Sequence, residues 1–64
     1  MMIMRTENGV FHAKFTKEEL ILIGNCLNEV CHGIDLFEFE TRIGASKEET
    51  RRILDQILTA QRGS

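Results

Sequence analysis

The chain has no proline, no tryptophan and no tyrosine, only two cysteines, and a formal charge of −2 over 64 residues. At this length a single domain, 1–64, is the ceiling. Apolar runs such as Leu20 to Ile23 fall far short of the ~18 residues a membrane-spanning helix needs. Met1 to Asn8 holds no apolar stretch of signal-peptide length. Internal repeats, linkers and low-complexity segments are absent. Apolar residues at 42% and charged residues at 28% argue against disorder, since globular domains average roughly 45–50% and 25%. The expected class is a small soluble α+β domain.

Core is in short supply. A chain of this size buries only about 60% of the surface it exposes when unfolded. Small folds compensate with disulfides, a metal, consistent local signals or a second copy of themselves. Here the local signals are dense. Asn8-Gly9 predicts a two-residue type I′ turn, because both central residues must take positive φ. Such a turn pairs Glu7 with Val10, Thr6 with Phe11, Met4 with Ala13 and Met2 with Phe15, making a hairpin over about 2–15. Met2, Met4, Thr6, Phe11, Ala13 and Phe15 would then share one face, expected to rest on helices. Ile3, Arg5, Glu7, Val10, His12 and Lys14 would share the other.

Capping boxes follow at Thr16/Glu19, Asp35/Glu38 and Ser46/Glu49, where the first side chain accepts an orphan helical N–H and the Glu reaches back. Gly33 and Gly44 would supply left-handed exits for the first two helices. Helices are therefore expected at about 17–32, 36–43 and 47–60, with the residues from Gln61 to Ser64 frayed. At 100° per residue the first helix gathers Leu20, Ile23, Cys26, Leu27, Val30 and Cys31 on one face. The third gathers Ile53, Leu54, Ile57, Leu58 and Ala60. The whole reads as a hairpin packed on a three-helix unit, with helices two and three arranged like a degenerate helix-turn-helix.

Cys26, Cys31, His32 and His12 are the soft metal ligands. Zinc sites favour cysteines two to four residues apart on a turn, whereas these lie within one helix, about 140° apart about its axis. His32 points away from both. They read as two buried thiols of a reducing compartment, with no bound metal, no disulfide and no cofactor, which places the chain in the cytoplasm; a small metal-binding protein using these four residues is the third reading, behind an interaction module and a helix-turn-helix regulator. Catalysis has no footing either. Ser46 serves as a cap and Ser64 is terminal, so no serine meets a His–Asp pair. Glu19, Glu38 and Glu49 have capping roles, and neither Gly24 nor Gly44 belongs to a phosphate-binding glycine pattern. The chain is read as a non-enzyme.

The segment from Leu36 to Ile57, LFEFETRIGASKEETRRILDQI, resembles the helix-turn-helix unit. Gly44 stands at the turn, Phe39 and Ile43 at the apolar positions before it, and Ile53 late in the second helix. The resemblance covers about 22 of the 64 residues. It departs at Glu40, where the motif takes a small residue, and at Thr50, where it takes a β-branched apolar one. It implies DNA contacts from Lys47, Arg51 and Arg52. Charge opposes this: those cations are cancelled by Glu48, Glu49 and Asp55 in the same helix, and the pI is ≈ 5.6, whereas phosphate binding calls for a basic stripe.

Association remains. Ile21 and Leu22 fall off the apolar stripe of the first helix, and Ile3 and Val10 fall off the covered face of the hairpin. Together with the thin core they predict a two-fold homodimer through Ile3, Val10, Ile21 and Leu22, and an interaction module whose further partner is another protein.

Overall fold

The computed structural model describes residues 1–63. It is an α+β arrangement in which an antiparallel hairpin precedes three helices. Strands β1 (Met2–Glu7) and β2 (Val10–Lys14) form the hairpin. The turn between them is as expected: Asn8 and Gly9 take φ of 40° and 78°.

The register is not as expected. Glu7 pairs with Val10, but Arg5 rather than Thr6 then pairs with Phe11, followed by Met4 with His12, Ile3 with Ala13 and Met2 with Lys14. Thr6 is the extra residue of a β-bulge, and its hydroxyl donates to the Val10 carbonyl at 2.9 Å. Since side chains alternate with period two, one inserted residue moves β1 to the opposite face beyond it. Ile3, Arg5, Phe11 and Ala13 therefore share one face, and Met2, Met4, His12 and Lys14 the other. Both faces are exposed along their whole length.

Helix α1 (Lys17–Asn28) begins at Thr16 with the expected box: the Glu19 N–H donates to the Thr16 hydroxyl and the Thr16 N–H to the Glu19 carboxylate. It runs into a π turn over Glu29–Gly33, which closes with the Ile34 N–H donating to the Glu29 carbonyl at 2.9 Å. The exit is thus made by widening the last turn, with Ile34 extended at φ −120°. Gly33 is not the left-handed exit expected of it, whereas Gly44, at φ 90°, is.

Helix α2 spans only Phe39–Ile43, starting three residues later than the sequence pattern suggests. The Asp35 box is not made. Glu38 itself holds the N-cap position in the left-handed region (φ 53°, ψ 52°), so it cannot serve as the helical third residue that the box requires. Helix α3 (Lys47–Arg62) carries the Ser46/Glu49 box intact and extends through Gln61, which had been expected to fray. Ser64 lies outside the described residues.

The core lies where α3 packs against α1 and its π turn. Cys31 and Leu54 are each 1% exposed, and Thr50 is buried with its hydroxyl donating to the Ser46 carbonyl at 2.9 Å. Along α1 and its π turn, Leu20, Ile23, Gly24, Leu27, Val30 and Cys31 are buried or half-buried, spaced as one helical stripe. Gly24 is the pivot. A Cβ there would stand 2.8 Å from the Gln61 amide nitrogen and 3.4 Å from Ile57. The close approach swings burial toward the glycine, so Cys26, expected in the core, is exposed, and Ile53 on α3 likewise.

Candidate interaction surface

Apolar side chains normally leave water when a chain folds, and many here do not. Helix α1 offers only one stripe to α3, and the hairpin, two residues from α1, is covered on neither face. What ties the hairpin to the helices includes the N-terminal ammonium, which meets a Glu19 carboxylate oxygen at 2.6 Å. This ion pair, and then the Thr16 N–H, hold the Glu19 carboxyl below its ordinary value. Both partners are largely solvated, so the contact orients the strand more than it stabilises it.

All of the residues expected at a dimer interface are exposed: Ile3, Val10, Ile21 and Leu22. The bulge separates two of them. Ile3 and Val10, read from the sequence onto one face, lie on opposite faces of the hairpin. On the Ile3 face the Arg5 guanidinium sits 5.7 Å from the centre of the Phe11 ring and shields part of it. On the other face Met2, Met4, His12 and Lys14 line a cleft. On α1, Leu22 is 63% exposed.

Further members of this surface escaped the sequence reading. Met2 and Met4 were expected to be covered and are open. Ile53 belongs to the apolar stripe of α3, but α1 covers only one flank of that stripe and leaves it 53% exposed. Phe37 is 74% exposed on the loop before α2, ahead of the left-handed Glu38. A helical-stripe count places Ile53 correctly on the apolar face; only the position of α1 shows which half of that face is left bare.

The alternative sites fare differently. Lys47, Arg51 and Arg52 are exposed on α3, and Glu48, Glu49 and Asp55 are exposed with them. Cys31 is buried while Cys26, His12 and His32 face solvent. Among the described residues no group of three or more His, Cys, Asp or Glu side chains is arranged to hold a metal ion. No helix among the described residues is long and apolar enough to cross a membrane.

The dimensions summarise the consequence. The radius of gyration is 13.1 Å, against about 10.7 Å for a compact chain of this length. The molecule is a slab of 33 × 29 × 16 Å. Its accessible surface is 5367 Å², where a compact monomer of its mass exposes about 4,200 Å².

Comparison with known proteins supplies no relative: no family model, no curated protein and no solved structure matches the chain.

Proposed function

We propose that the chain is a non-catalytic interaction module that acts as a two-fold homodimer and presents its assembled surface to another protein. One observation carries the reading. The chain exposes roughly 1,150 Å² more than a compact monomer of its mass, which exceeds the ~800 Å² each partner contributes to a standard specific interface. The apolar side chains left exposed include those of the hairpin together with Leu22 and Ile53. Stable domains stack at least two layers around a core, and a slab 16 Å thick gains its missing cover from a second copy. The glutamates at the two intact caps are engaged in those caps.

The thiols support a reducing compartment such as the cytoplasm, since one is buried, the other exposed, and they are not bridged. The helix-turn-helix alternative has less to support it, because α2 is five residues long and the cations of α3 are interleaved with carboxylates. Sedimentation equilibrium from about 1 to 100 μM tests the main reading, over the range where specific dimers form. A species of twice the 7.4 kDa chain mass is expected. A monomer throughout overturns it.

A further inference from the structure

We infer that the cleft on the Met2/Met4 face of the hairpin is a receptor for Leu22 of a second copy, so that each chain inserts its α1 into the hairpin of the other. The inference rests on the dimer reading above and adds where the two copies meet.

The cleft has the chemistry of an aliphatic receptor. Met2 and Met4 are unbranched and polarisable, which lets them close around an irregular guest. His12 and Lys14 stand at its polar edge. Nothing in the same chain covers this face, as every residue of β1 and β2 is exposed. The opposite face is less available, because Arg5 already lies over Phe11.

Leu22 has the complementary character. It is among the most exposed aliphatic side chains of the helices. Glu18 precedes it by four residues and so lies on the same outward stripe of α1, exposed. The guest is thus a leucine with a carboxylate one turn away, and the receptor is a methionine cleft with a lysine at its edge. Docking pairs Glu18 with Lys14 as Leu22 enters, which sets the orientation. Among the described residues the one ion pair formed is that of the terminal ammonium with Glu19, so Glu18 and Lys14 are both free for it.

Symmetry makes the arrangement economical. Leu22 lies about 9 Å along α1 from Thr16, where the hairpin joins the helix. A two-fold axis beside that junction would join both cleft–leucine contacts in a single isologous interface. Edge-to-edge pairing of strands would leave both faces of the hairpin bare, whereas this packing covers the methionines and the leucine together.

The test mixes isotope-labelled and unlabelled chains and records intermolecular NOEs. Contacts between the Leu22 methyl groups of one chain and the Met2 and Met4 ε-methyl groups of the other are expected. A dimer without these contacts overturns this inference and leaves the dimer reading standing; a monomer at about 100 μM removes both. Charge exchange gives a second readout. K14E and E18K should each weaken the dimer about tenfold, a change of like against unlike charge worth about one power of ten. The double variant K14E/E18K should restore it. Both single variants lie on the exposed surface and should keep the native circular dichroism spectrum. Single variants that leave the dimer unchanged, or a double variant that fails to restore it, overturn the pairing.

Discussion

The side-chain amide of Gln61 donates to the backbone carbonyl of Leu20 at 3.2 Å, across the crossing of α3 and α1 and close above Gly24. That carbonyl also belongs to the helix ladder of α1, so the bond uses its second lone pair. Two helices are held in register by a glutamine near the chain end and a glycine in mid-helix, both residues that local rules mark as weak.

A glycine-to-alanine change in a helix ordinarily stabilises by about 1 kcal/mol. At Gly24 the new Cβ would displace the Gln61 amide, forfeiting a hydrogen bond of about 1 kcal/mol, so G24A should be close to neutral. Q61A alone should cost about 1 kcal/mol. In the Q61A background G24A should recover its full stabilisation. Urea unfolding of the four proteins in this cycle measures the coupling, expected to be about 1 kcal/mol. Simple additivity would show that the two positions do not meet.

The caps divide sharply. T16A and S46A each remove a bonded capping side chain and should cost about 1 kcal/mol. D35A should change stability by less than about 0.5 kcal/mol, because its box is not made and its substitution touches no cap. E38G should stabilise by about 1 kcal/mol by relieving a side chain held at positive φ. Thermal and urea melts of these variants rank them directly, and a D35A loss as large as that of S46A would contradict the α2 start described above.

Acid sensitivity should have a local component at Glu19. The hydrogen bond from the terminal ammonium, followed by that from the Thr16 N–H, holds the carboxyl below its ordinary range. Its folded value therefore lies below its unfolded one. The stability it contributes is present above the ordinary glutamate range and is lost as the pH falls through the lowered value. A carbon-detected NMR titration should place Glu19 below the ordinary glutamate value, and E19Q should flatten the acid limb of the stability curve. Titration of Glu19 together with the other carboxylates would show that the ammonium contact does not form in solution.

Thiol labelling should distinguish the two cysteines. Cys26 faces solvent and Cys31 is 1% exposed. Native protein treated with iodoacetamide should take one adduct, at Cys26, and denatured protein two. Peptide mass spectrometry reads the site. Rapid native modification of Cys31 would mean that the π turn opens readily, since a buried thiol reacts only on local unfolding.

Much of the backbone was legible because its causes are short-ranged. Asn8-Gly9 makes its turn, Thr16 and Ser46 make their caps, and Gly44 ends α2, each determined by residues within four positions. The failures share a different cause. Period-two alternation alone cannot tell the bulge at Thr6 from a regular ladder. Asp35 offered a looser version of the box that Ser46 makes. The left-handed Glu38 made it unusable, and that conformation has no sequence signature at a glutamate.

The candidate surface shows the same division. Ile3, Val10, Ile21 and Leu22 could be singled out from pattern alone, and all are exposed. Met2, Met4 and Ile53 could not, because hydrophobicity marks a side chain that seeks cover without saying whether cover arrives. The sequence by itself determined the hairpin turn, the starts and caps of α1 and α3, and which side chains seek burial. Only the tertiary structure decided which of them obtain it. That choice is visible where α3 crosses α1 at Gly24, with the Gln61 amide bonded to Leu20 across it, so that one flank of each helix is covered and the other left bare. A stripe of residues specifies its own face through helical periodicity, but its partner is set by contacts far apart in the chain, such as the 41-residue span from Leu20 to Gln61.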